Sequence, residues 1–153
     1  MSVSYWGLDG YGIRIDSMEM FDALKLSSLV LDKEELVEFE ARIKNLNHLS
    51  NSAMLEILDS MLPESLSEYT FRKITNSSRY ICFATTGNNN DGEYLYYPSK
   101  LPWAMSDEEK SFTRLDVEDE IISLIRPYLL NNSIEAENKI RQEFDYINTG
   151  GEG

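Results

Sequence analysis

Arg79-Tyr80-Ile81-Cys82-Phe83-Ala84-Thr85-Thr86, followed by Gly87-Asn88-Asn89-Asn90-Asp91-Gly92 and then Glu93-Tyr94-Leu95-Tyr96-Tyr97, is two runs of strand formers around a stretch of turn formers. Aromatic and β-branched side chains pack well on a pleated surface, and Gly, Asn and Asp reach the backbone angles that a reversal needs. The stretch therefore predicts an antiparallel hairpin. Pro98 and Pro102 stop its second strand, since proline has no N–H to give a sheet. A second hairpin is expected near the start, where Val3 to Leu8 and Tyr11 to Ile15 flank Asp9-Gly10, the favoured two-residue loop. Gly7 and Gly12 then lie near each other across the turn. Their missing side chains either admit another backbone or leave room for the rings of Tyr5, Trp6 and Tyr11, and such close packing is the plainer reading than a ligand platform.

Outward from the hairpins the hydrophobic period becomes helical. Leu36, Phe39, Ile43 and Leu46 recur at helical spacing, Asp32 with Glu35 forms a capping box, and Arg42 and Lys44 suit the negative end of the helix dipole. Another helix begins near Ser50 or Ser52, turns Leu55, Leu58 and Leu62 inward, and ends at Pro63. Ser65 with Glu68 caps a further helical stretch, and Ser106 with Glu109 a short one. Asp116 with Asp119 caps a longer helix bearing Val117, Ile121, Leu124 and Ile125, which Pro127 ends or kinks. A last helix from about Ile134 buries Ile140, Phe144 and Ile147. The order of two strands, helices, two strands, helices describes an α+β fold: a small antiparallel sheet from two β-hairpins packed with four or more amphipathic helices. One domain over 1–149 is expected, with the glycine-rich 150–153 a disordered tail. The 153 residues, 42% of them hydrophobic, suffice for one core.

Charge and composition narrow the function. Twenty-seven acids against 14 Lys and Arg give a formal charge of −13, which repels naked nucleic acid and anionic lipid. One cysteine, Cys82, and one histidine, His48, allow no intrachain disulfide and no structural zinc site, and no cofactor is implied. The apolar runs are too short for a membrane helix, and the opening residues lack the pattern of a secretory signal, so a cytoplasmic location is expected. His48 sits between two helices, where a histidine is a helix-end partner or solvated. Cys82 lies on a strand with no electropositive neighbours, so it is expected to be inert. Both should be dispensable. Gly7, Gly10 and Gly12 reverse the spacing of a dinucleotide fingerprint and do not open a helix. Asn88 to Gly92 lacks the alternating acids of a calcium loop. No catalytic or metal-binding residue can be nominated.

Acidity is regional. Residues 32–68 carry nine acids and three bases, residues 91–131 nine acids and four bases, and residues 69–90 carry Arg72, Lys73 and Arg79 with no acid. Part of this excess is what any solvated helix face shows. The sharper reading is a docking face for a basic protein, with carboxylates spaced like phosphates and aromatic anchors among them. Its candidate residues are Trp103, Asp107, Glu108, Glu109, Asp116, Glu118, Asp119 and Glu120. If solvated, Glu118, Asp119 and Glu120 should tolerate reversal to Lys without loss of folding.

Ser4-Tyr5-Trp6-Gly7-Leu8-Asp9-Gly10-Tyr11-Gly12-Ile13 and Tyr94-Leu95-Tyr96-Tyr97-Pro98-Ser99-Lys100-Leu101-Pro102-Trp103 resemble small uncharacterised acidic accessory proteins carried by phages and prophages of low-GC bacteria. The resemblance covers the first hairpin and the region from about Tyr94 to Asp119, and it brings no catalytic residues. It implies a non-enzymatic inhibitor of a host defence protein, of anti-CRISPR or DNA-mimic type, acting in the host cytoplasm on a nucleic-acid-binding effector. Two other classes compete with it: an immunity-type protein that neutralises a basic toxin nuclease, and a carboxylate-dependent enzyme. A stoichiometric, salt-sensitive complex marks the first two, and turnover marks the third.

Overall fold

A computed structural model describes residues 9–46, 49–78, 80–85, 93–98 and 113–148. The elements run β1 (Asp9–Ile15), α1 (Ala23–Val30), α2 (Lys33–Lys44), α3 (Asn51–Ser60), α4 (Leu66–Asn76), β2 (Cys82–Thr85), β3 (Glu93–Pro98), α5 (Arg114–Ile125), a short 3-10 turn (Arg126–Tyr128), α6 (Ile134–Arg141) and β4 (Phe144–Asn148). The strands form one antiparallel sheet in the order β2-β3-β1-β4. The fold is α+β.

Local chemistry fixes the helix starts. Asp32 and Glu35 exchange hydrogen bonds as a capping box at α2, Ser50 caps α3 and Ser65 caps α4, each satisfying a backbone N–H that the first turn leaves free. Phe39, Leu55 and Leu58 are buried as their spacing predicts, whereas Leu46 is half exposed. Pro127 stands in the 3-10 turn that follows α5, consistent with its expected role as a stop. At α5 the cap is three residues earlier than expected: Thr113 is the N-cap, and Asp116 is the third residue of the helix, its side chain accepting the Thr113 N–H at 3.0 Å. Helix α1 was not foreseen, although Asp22 caps it and Ala23, Leu26, Ser27 and Val30 make its buried stripe.

Two expectations about strands are overturned. Asp9-Gly10 is not a hairpin loop: both residues belong to β1, where Gly10 lies opposite Pro98 on one side and Ile147 on the other. Val3 to Leu8, the other arm of that expected hairpin, lies outside the described residues, and among those described the sheet contains one hairpin-ordered pair, β2 and β3, with β1 and β4 brought in from the ends. The last helix stops at Arg141, and Phe144 and Ile147 lie on β4.

Register explains which side chains are buried. Phe83, Leu95, Ile13 and Phe144 form one cross-strand row over all four strands, facing the helices. The Phe71 ring of α4 sits 5.7 Å from Phe83 and 5.8 Å from Phe21, joining sheet to helices. Alternation sends Tyr94 and Ile147 to the opposite face, and both are buried yet stand outside the main core cluster. The glycines of β1 are there because backbones approach closely: a Cβ at Gly12 would stand 2.1 Å from the Leu95 carbonyl oxygen, and one at Gly10 2.2 Å from that of Tyr97. The Asn51 side chain clamps the entry to α1, accepting from the Ala23 N–H at 2.9 Å and donating to the Phe21 carbonyl at 2.8 Å.

Candidate acidic docking surface

Half of the expected docking residues can be placed. Trp103, Asp107, Glu108 and Glu109 lie outside the described residues, as do His48, the Asn88 to Gly92 loop and the segment 150–153. Asp116, Glu118, Asp119 and Glu120 all lie on α5, and each has a partner within the chain. Asp116 completes the cap, and the Thr113 N–H it accepts holds its carboxyl below the ordinary range. The Glu118 side chain is 16% exposed; it accepts from the Tyr11 hydroxyl at 2.5 Å and from Arg141 Nη1 at 3.2 Å. Asp119, 57% exposed, accepts from Arg141 Nη2 at 2.6 Å. Glu120 takes a long bond from the Ser78 hydroxyl at 3.4 Å.

This row therefore joins α5 to β1 and to the end of α6. The Arg114 guanidinium lies 5.0 Å from the centre of the Tyr11 ring, and Phe144 flanks that ring at 6.0 Å. Burial, then the hydrogen bond to Glu118 and its negative charge, push the Tyr11 phenol up to about 12. A phenol held in that form is a donor, not a nucleophile. Sequence reasoning missed Tyr11 and Arg141 as partners of Glu118 because both lie far from it along the chain and nothing local links them.

A different acidic site has fewer internal claims on it. Met18, Leu55 and Leu66 floor a cleft of about 300 Å³ beside α3, and Glu19, Glu56 and Asp59 stand on its rim. Leu55 and Leu66 are buried, while all three acids are exposed. Asp59 accepts the Leu66 N–H at 2.7 Å, which fixes the turn into α4. Among the described residues no cation pairs with Glu19, Glu56 or Asp59. The floor suits the aliphatic stem of a lysine or arginine and the rim suits its charged head. Glu56 and Asp59 sit in the first acidic region of the sequence, but Glu19 and Met18 come from elsewhere in the chain.

For chemistry the described residues offer little convergence: no three His, Cys, Asp or Glu side chains among them are placed to share a metal ion. Burial raises the Cys82 thiol, which disfavours the thiolate. No helix among the described residues is long and apolar enough to cross a membrane. No family model, no curated protein and no solved structure matches the chain.

Proposed function

We propose that this protein is a non-enzymatic acidic inhibitor that occupies the basic, nucleic-acid-binding surface of another protein. The observation that carries the reading is the cleft beside α3, where Glu19, Glu56 and Asp59 ring an apolar floor with no described cation to neutralise them. Carboxylates around an apolar floor favour the charged head of a lysine or arginine there. The charge of −13 adds long-range attraction for any basic surface. The acids of α5 contribute to that field, but Glu118 is held to Tyr11 and Arg141 and serves the fold first. The resemblance to phage accessory proteins supplies the proposed class of partner, a host defence effector that grips DNA or RNA.

Competition is the test. A labelled DNA duplex bound to a basic effector nuclease, and separately to other basic DNA-binding proteins, is titrated with this protein at about 0.1 M salt, where screening beyond about 10 Å leaves short-range contacts in control. Stoichiometric release of DNA from at least one of them, without cleavage of either component, is expected. Release from none, or loss of DNA binding only at sub-stoichiometric amounts with covalent change in the effector, contradicts it.

A further inference from the structure

The two edges of the sheet are not alike. At β4 the Asp145 carboxylate turns back and accepts the N–H of Tyr146 at 2.8 Å, so this edge is closed at that position by its own side chain and carries a charge. Such devices keep an edge from pairing with other chains. The other edge, β2, is Cys82-Phe83-Ala84-Thr85, with neither a charge nor a proline, and among the described residues it pairs with β3 alone. Among the described residues no backbone group outside the sheet bonds to Cys82–Thr85.

Alongside it is a groove. A cleft of about 320 Å³ lies between this strand and the second half of α4, lined by Phe83, Ala84 and Thr85 on one side and Arg72, Thr75 and Asn76 on the other. A strand edge flanked by a helix is the geometry in which an extended peptide adds to a sheet, main chain to main chain, with alternate side chains facing the helix. Asn76 is exposed and its amide can bond a peptide backbone. Arg72, whose side chain is 62% exposed, is the one cation among the described residues that line the groove. It gives Nη2 to Glu68 one turn earlier, and the remaining donors of its planar fork are able to take a second carboxylate.

We infer that the β2 edge and α4 form a docking groove for an extended peptide segment of a partner protein, with an Asp or Glu of that segment in register with Arg72. A second copy of this chain fits less well, because two chains of charge −13 repel each other. This groove is separate from the acidic cleft, and the inference does not rest on the function proposed above.

The probes are blocked eight-residue peptides of alternating Thr and Val with one central Glu, and the same peptide with Lys in its place. Each is titrated into the isotope-labelled full chain, with amide shifts and amide exchange followed across Cys82–Thr85 and sedimentation followed in parallel. The Glu peptide is expected to slow exchange of the outward β2 amides at least tenfold and to bind about tenfold tighter than the Lys peptide, with Arg72→Glu inverting that preference. Arg72→Ala, which removes only a surface ion pair, should make the two peptides equal while the spectrum of the fold stays unchanged. Absence of any change over Cys82–Thr85 overturns the inference. So does equal binding of both peptides to the wild type, or concentration-dependent protection of β2 in the free chain with formation of a dimer.

Discussion

Replacing Glu118 with lysine discriminates between an acid that serves docking and one that holds the fold. In the structure the Tyr11 hydroxyl would lose its acceptor at 2.5 Å, and Arg141 would lose one of its two carboxylates. Hydrogen bonds to charged groups contribute about 1.5–3 kcal/mol each. The new ammonium would also face Arg141 at a position only 16% exposed. Breaking a largely buried pair in this way costs roughly 3–5 kcal/mol, a large part of the 5–15 kcal/mol that holds a typical domain. Glu118→Gln keeps an acceptor for Tyr11 and removes only the charge, so about 1–2 kcal/mol is expected. Urea unfolding followed by circular dichroism reads both variants, with unchanged slopes showing that the native state is the same. A Glu118→Lys protein within about 0.5 kcal/mol of wild type, the range of an ordinary surface change, would refute the reasoning and return α5 to the status of a solvated face.

Three further outcomes follow from single contacts. The Tyr11 phenol has its folded pKa raised from 10.0 to about 12, so the proton is held more tightly in the native state; the stability this gives is present below about pH 10 and is lost as pH rises through about 12. Of order 2 kcal/mol should disappear over that window by urea unfolding, and a Tyr11→Phe protein should lack this component. Gly12→Ala places a methyl 2.1 Å from the Leu95 carbonyl and 2.6 Å from Tyr96 Cα, atoms of the backbone that cannot swing aside; a loss of about 3 kcal/mol or more is expected in the same assay. Thr70 is fully buried and its hydroxyl has no hydrogen-bond partner among the described residues, so Thr70→Val should raise stability by about 1 kcal/mol and the melting temperature by about 2–4 °C in calorimetry.

What could be read from the sequence was what local chemistry decides. Asp32, Glu35, Ser50 and Ser65 act on N–H groups within a turn of themselves, and they mark α2, α3 and α4 as the sequence suggests. The strand pair β2 and β3 is also close in sequence. Misreadings arose where distant chain decides. Asp9-Gly10 has turn chemistry, yet the glycine is required because the Tyr97 carbonyl lies against it. Ile140, Phe144 and Ile147 have helical spacing, but on β4 a step of three puts Phe144 into the core beside Ile13 and Ile147 over Gly10 on the other face. Because Phe144 and Ile147 are buried on opposite faces while Asp145 and Tyr146 between them are exposed, burial does not alternate and the period misleads. Helix α1 is legible in the Asp22 cap and the stripe of Ala23, Leu26, Ser27 and Val30 behind it. The same divide runs through the site: acidity is a property of composition, but that Glu118 belongs to Tyr11, and that Glu19 meets Glu56 across a cleft, depends on tertiary placement.

The central claim is that the cleft beside α3, and not net charge alone, recognises a basic partner. Glu19→Lys with Glu56→Lys changes the cleft, and Glu40→Lys with Glu143→Lys changes exposed acids elsewhere; each pair adds four charges, taking −13 to −9. All four side chains lack a cation partner among the described residues, so folding should survive in both proteins. The measurement is the concentration of each protein that releases half of a DNA duplex from the effector it inhibits, at fixed salt. Loss of release by tenfold or more in the cleft variant, with less than threefold change in the other, is the predicted result; equal loss in both, or full activity of the cleft variant, contradicts it.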